Sequence, residues 1–229
     1  MANPGARNRI ASPPAIGRLA IEARLLREGA LTIAGVDEVG RGCLAGPVYA
    51  AAVLLGPEVL RNRRRLRRAT DSKLISARQR DDLFNEITYA ARAISVGALE
   101  ASLVDRHGIA EAVRRAMIHA LDGLPEKPDR VIVDSVRLPE DCGYADRTLS
   151  LDRAETQCLS VAAASIYAKV TRDREMRRRA GQHPGYGFET NFGYGTRAHR
   201  RALAELGPCS EHRRSFAPLR LTLEAAESR

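Results

Sequence analysis

Lysine is nearly missing from this chain. Of its 37 basic side chains only Lys73, Lys127 and Lys169 are lysines; the rest are arginine. A chain that uses arginine at almost every positive position draws notice to the lysines it keeps, because a compact ammonium can approach a phosphate or carboxylate where a guanidinium fork is too large. Lys73 lies in Asp71-Ser72-Lys73 and Lys169 in a helical stretch, whereas Lys127, beside Pro128, looks like chance retention. Cysteine is also sparse. Cys43, Cys142, Cys158 and Cys209 form no C-x-x-C pair, so neither a zinc site of the common spacing nor a disulfide framework is suggested, and a reducing cytoplasmic home fits best. There is no run of about 18 uninterrupted apolar residues and no apolar signal core near residue 1, so a membrane span and secretion are not expected. No histidine stands in a convincing catalytic position.

What is present is clustered positive charge and an α/β pattern. The formal net charge is +9, and a polyanionic partner follows only if that charge is grouped. It is grouped at Arg61, Arg63, Arg64, Arg65, Arg67 and Arg68, again at Arg172, Arg174, Arg177, Arg178 and Arg179, and again at Arg197, Arg200 and Arg201. The length of 229 residues suits one compact α/β unit with extensions rather than two domains. Residues 1–28 read as a basic arm and short helix, 29–185 as the main domain, and 186–229 as a loop and helical extension. Strands are predicted at 32–39, 48–55, 93–99, 131–134 and 148–151. Helices are predicted at 18–28, 71–91, 103–121, 160–178 and 196–206. The first two strands form a hairpin-like pair, and the small residues Ala162, Ala163, Ala164 and Ser165 let their helix pack close to a sheet.

The chemistry concentrates in residues 33–42, Ile-Ala-Gly-Val-Asp-Glu-Val-Gly-Arg-Gly. An apolar strand ends in two carboxylates and breaks into a glycine-arginine-glycine turn. Adjacent strand residues face opposite ways, so Asp37 and Glu38 approach one site only if the chain turns there. Gly40 and Gly42 leave backbone N–H groups free to approach a phosphate or sugar, with the Arg41 charge between them. Asp134 ends a second strand, and adjacent strands would bring all three acids to one sheet edge. Clustered carboxylates call for cations, and oxygen ligands suit Mg²⁺ or Mn²⁺, a pair of which can drive phosphodiester hydrolysis. The spacing of the glycines matches neither a P-loop nor a dinucleotide fingerprint. An ordinary acidic strand end followed by a glycine turn remains the alternative reading of this segment alone.

Gly35-Val36-Asp37-Glu38-Val39-Gly40-Arg41-Gly42, Asp71-Ser72-Lys73, Val131-Ile132-Val133-Asp134, the 162–170 helix with Ala168-Lys169-Val170, Gly193-Tyr194 and His212-Arg213-Arg214-Ser215-Phe216 together resemble bacterial ribonuclease HII, the type 2 ribonuclease H. The resemblance covers residues 32–218 in order. It implies a ribonuclease-H-like α/β fold with a mixed five-stranded sheet, and a monomeric endonuclease that cuts the RNA strand of RNA–DNA hybrids. It also implies incision 5′ to single ribonucleotides in duplex DNA, with 3′-hydroxyl and 5′-phosphate ends. Asp37, Glu38 and Asp134 then resemble three of the family's four metal-binding acids. The fourth falls on Glu155 by a gapless count back from Ala162, where the family usually has aspartate, with Asp152 competing if the loop shifts. The resemblance places Gly40, Arg41 and Gly42 against the 2′-hydroxyl, Tyr194 on the sugar 3′ to it, and Lys73, Ser165 and Lys169 at the substrate. Gly108 stands where an asparagine is expected. Two rivals remain open: a resolvase-type DNA nuclease on the same fold, and a non-catalytic hybrid binder.

Overall fold

The computed structural model describes residues 20–62, 66, 69, 76–217, 219 and 220. Along the chain the elements are α1 (Ala20–Arg27), β1 (Ile33–Val39), β2 (Val48–Leu55), α2 (Pro57–Arg61), α3 (Ala77–Ala90), β3 (Ala93–Leu99), α4 (Ala101–His107), α5 (Ile109–Asp122), β4 (Arg130–Asp134), β5 (Thr148–Leu151), α6 (Ala154–Gln157), α7 (Leu159–Gln182), α8 (Phe188–Asn191) and α9 (Arg197–Leu206). The strands form one mixed five-stranded sheet in the order β3-β2-β1-β4-β5. β1, β2 and β3 pair antiparallel, and β4 and β5 continue the sheet in parallel.

Both faces of the sheet are covered. Val53 and Leu55 of β2 pack with α1, α2, α3 and α7 on one side, while Val48, Ala50, Ala52 and Leu54 pack with α4 and α5 on the other. That double burial explains why β2 reads as a continuous apolar run rather than an alternating one. α7 packs tightly against β1 at Gly35. A Cβ there would run into the backbone of Ser160 and Val161, so only glycine lets α7 lie this close to the strand that carries the acids.

Four sequence expectations are refined. The helix expected at 103–121 is divided at Gly108, whose φ of +75° and ψ of 155° end α4 and start α5; this region of backbone space is essentially confined to glycine. The long helix begins at Leu159 and reaches Gln182, and the short α6 precedes it. Residues 188–191, expected as loop, make one helical turn. The helix expected at 71–91 begins after Ser76, which forms a capping box with Gln79. Residues 71–75, Lys73 included, lie outside the described residues, as do 1–19 and Arg63, Arg64, Arg65, Arg67 and Arg68. Among the described residues no helix is long and apolar enough to cross a membrane.

Glu22 anchors α1 to the start of α7. Its side chain is fully buried, and Oε1 accepts from the N–H and the hydroxyl of Ser160, each at 2.8 Å. First-turn N–H groups favour an anion, yet burial outweighs these bonds and pushes the Glu22 carboxyl from its ordinary 4.5 up to about 7. A carboxyl raised on folding contributes stability below its unfolded value that is lost as pH rises through the folded one. Urea unfolding of the parent and of Glu22→Gln should therefore diverge between about pH 4.5 and 7, the parent losing on the order of 3 kcal/mol relative to the variant. Parallel stability profiles would contradict this account of Glu22.

Candidate active site

β1 outruns one of its two neighbours. Its ladder with β4 stops at Val36 and Val133, while its ladder with β2 continues to Val39 and Tyr49. Asp37 and Asp134 stand side by side one residue past the last shared rung. β1 runs to Val39, as expected, and past Val36 it is paired on one side only. Both Asp37 and Glu38 nevertheless line a single cleft of about 290 Å³, together with Asp134 and Glu155.

Each acid is held by the protein. Asp37 is only 7% exposed; its Oδ1 accepts the Glu38 N–H at 2.8 Å, and the Ser165 hydroxyl of α7 also bonds to it. Burial, then the charges of Glu38 and Asp134, push its carboxyl well above the usual range. Burial likewise raises Glu38, with Arg41 at 3.6 Å opposing the shift. The Glu38 Oε2 atom is buried and has no hydrogen-bond partner. Asp134 accepts the Ala154 N–H at 2.8 Å. Ser135 Oγ lies 3.4 Å from Asp134 and 3.1 Å from Asp152. The two candidates for the fourth acid therefore part company: Glu155 lines the cleft, and Asp152 is not among its lining residues.

The same cleft is also lined by Val39, Gly40, Arg41, Gly42, Ser165, Lys169 and Tyr194. Gly40 has φ of +85°, and its carbonyl accepts the Cys43 N–H to close the turn. Lys169 is bonded to Asp173 at 2.7 Å and lies 5.3 Å from the centre of the Tyr194 ring. Tyr194 is partly exposed to the cleft, and burial of its hydroxyl end pushes the phenol up to about 12. Its carbonyl meets His199 Nδ1 at 2.9 Å, and His199 Nε2 meets His212 Nε2 at 3.1 Å. Burial lowers both imidazoles, His212 to about 4. As neutral rings, His212 donating from Nε2 to His199 and His199 donating from Nδ1 to Tyr194 satisfy the whole chain.

Several of these supports were not singled out from the sequence. Ser135, Arg153 and Phe192, the non-glycine residues with left-handed φ among the described residues, stand next to or two residues before Asp134, Glu155 and Tyr194. Such conformations persist only where surrounding structure enforces them. One reading needs correction: the arginine group beginning at Arg172 is not a single surface patch. Arg172 and Arg179 are buried while Arg174, Arg177 and Arg178 are exposed, because residues seven apart on a helix share a face. Arg179 is bound by Glu100, Glu175 and Glu211.

A family model described as Ribonuclease HII matches residues 34–219. The chain belongs to the ribonuclease HII family. The ribonuclease HII of Chloroflexus aurantiacus is 47% identical over 201 residues, covering 88% of this chain and 93% of that one. The Bacillus subtilis enzyme of the same name is 44% identical, with 86% and 74% covered. Among solved structures, the ribonuclease H2 of Pyrococcus horikoshii superposes with a TM-score of 0.71 at 26% identity, covering 86% of this chain and all of that one. The mixed sheet flanked by helices is thus the ribonuclease-H-like fold, and the chain is a metal-dependent endoribonuclease of the ribonuclease H class, which acts on RNA–DNA hybrids.

The residues present fit the divalent cation that ribonuclease HII chemistry needs. Every candidate ligand is a carboxylate oxygen, as a hard cation prefers, and the buried, unpartnered Glu38 Oε2 supplies an acceptor with nothing else to bind. Among the described residues, no three aspartate, glutamate, histidine or cysteine side chains stand together closely enough to hold a metal ion by themselves. That arrangement suits Mg²⁺, which keeps several waters and takes one or two carboxylates plus substrate phosphate. Asp37→Asn removes one repelling charge, so the metal-free variant should gain about 1 kcal/mol in thermal unfolding while cleavage falls at least about 10³-fold. Normal cleavage by this variant would remove Asp37 from the metal site.

Proposed function

We propose that this ribonuclease HII family member hydrolyses the RNA strand of RNA–DNA hybrids and also incises 5′ to single ribonucleotides embedded in duplex DNA, leaving 3′-hydroxyl and 5′-phosphate ends. One observation carries the reading: the acids, the glycine-arginine-glycine turn and Tyr194 line the same cleft. Chemistry on a phosphodiester and recognition of the sugar beside it then occur at one place.

In this reading Asp37, Glu38, Asp134 and Glu155 hold Mg²⁺ or Mn²⁺. When bound, a pair of such ions activates water and stabilises the leaving oxygen of an in-line displacement. The chain's own residues supply position. Ser165 orients the Asp37 carboxylate, and the Ala154 N–H fixes that of Asp134. The Gly40-Arg41-Gly42 backbone meets the ribonucleotide, where N–H and C=O groups can read the 2′-hydroxyl that separates RNA from DNA. Tyr194 stacks on the next sugar on the 3′ side, favouring a deoxyribose there. Lys169 and Arg41 face the phosphates, and Lys73, outside the described residues, is a further phosphate contact. Exposed Arg197, Arg200 and Arg201 extend a sequence-independent, salt-sensitive grip on the duplex. Action as a monomer belongs to the same reading, and four free cysteines suit the cytoplasm.

Three labelled duplexes test this in Mg²⁺ and in Mn²⁺: all-DNA, DNA with one ribonucleotide, and a continuous hybrid. Incision 5′ to the lone ribonucleotide and cleavage of the hybrid, with all-DNA intact, are expected. Cutting of all-DNA would favour a resolvase-type nuclease, and tight binding without cutting in either metal would favour a non-catalytic binder. Tyr194→Ala should lower kcat/KM on the single-ribonucleotide duplex at least about tenfold, the scale set by loss of one stacked base or sugar contact.

A further inference from the structure

Arg172 lies in the middle of α7 and is wholly buried. Its guanidinium donates to main-chain carbonyls: Nε to Pro47 at 2.9 Å, Nη1 to Phe192 at 2.9 Å and Nη2 to Ala45 at 3.1 Å. A buried cation is costly unless its donors are satisfied, so a position that needed only filling would carry an apolar side chain. The placement of the acceptors is informative. Ala45 and Pro47 belong to the connection between β1 and β2 that begins with the glycine-arginine-glycine turn, and Phe192 stands two residues before Tyr194.

The same guanidinium touches both loops by packing. It lies directly beneath Gly40, where any Cβ would strike Nε and Cζ, and its Cζ is 5.8 Å from the centre of the Tyr194 ring. The loops also pair with each other, the N–H groups of Leu44 and Ala45 donating to the Gly193 carbonyl at 2.8 and 3.3 Å. Arg213, equally buried, braces the far side of the turn by donating to the Gly46 and Arg41 carbonyls, each at 3.0 Å. The Arg213 guanidinium donates to the turn and not to the tyrosine loop, whereas Arg172 donates to both.

We propose that Arg172 is a positioning residue for substrate discrimination: it fixes the distance between the turn that meets the ribonucleotide and the tyrosine that meets the next sugar, so both sugars are judged together. This rests on the proposed roles of residues 40–42 and Tyr194. The fork matters rather than the charge alone, because an ammonium cannot present three donors in the plane that reaches Ala45, Pro47 and Phe192.

The test is a double-mutant cycle on the full chain, read as the ratio of kcat/KM for the single-ribonucleotide duplex to that for the continuous hybrid. Arg172→Lys should lower this ratio about tenfold while retaining a cooperative thermal transition. Added to Tyr194→Ala it should change the ratio less than about twofold, since the surface it positions is gone. A folded Arg172→Lys protein with the parental ratio overturns the proposal, and so do two substitutions whose effects multiply. A parental ratio in Tyr194→Ala alone overturns the stacking reading instead, and the coupling with it. If Arg172→Lys does not fold, amide hydrogen exchange on the unsubstituted chain bound to the single-ribonucleotide duplex without divalent ion decides the matter. Residues 40–47 and 192–194 should then be protected together, and protection of one segment without the other contradicts the role of Arg172.

Discussion

Asp37 sits almost out of water beside Glu38 and Asp134, and carboxylates so placed repel one another and resist ionising. The surrounding structure answers that repulsion at each group. The close approach of α7 at Gly35 brings Ser165 to Asp37. A left-handed Arg153 turns the chain so that the Ala154 N–H reaches Asp134. Arg41, in the glycine-arginine-glycine turn, lies near Glu38. Keeping Asp37 buried beside two other carboxylates gives up stability locally, the trade between stability and function that active sites commonly show.

The second organising feature is positive charge used in two ways. Arg197, Arg200 and Arg201 are exposed and available to a polyanion, while Arg172 and Arg213 are buried and directed at main-chain carbonyls. Burial lowers the Arg213 guanidinium to about 10, still protonated at neutral pH. The glycine-arginine-glycine turn is therefore shaped from behind by cations, a different use of charge from the exposed arginines at the surface.

Much of this was legible in the residues. β1 and β2 are recognisable because strands buried on both faces must be continuously apolar, and the acids at Asp37, Glu38 and Asp134 stand out because they interrupt such runs. The gapless count to Glu155 marks the acid that lines the cleft. Other features were not legible, for physical reasons. A helical period passes through Gly108 without showing the break. A run of arginines looks like one patch until the helix turns Arg172 and Arg179 inward. The left-handed backbone at Ser135, Arg153 and Phe192 has no local composition to announce it, since tertiary contacts impose it. The His199–His212 pair joins residues from α9 and a later loop, so only the folded chain brings them together.

The central claim is that these four carboxylates form one cation site beside the sugar-reading wall. Anomalous diffraction from crystals of the chain soaked in Mn²⁺ with a single-ribonucleotide duplex tests it most directly. Manganese peaks within ligating distance of Asp37, Glu38, Asp134 and Glu155, with the ribonucleotide's 2′-hydroxyl against residues 40–42, are predicted. Manganese bound away from Asp37 and Asp134, or at Asp152 in place of Glu155, would contradict the account.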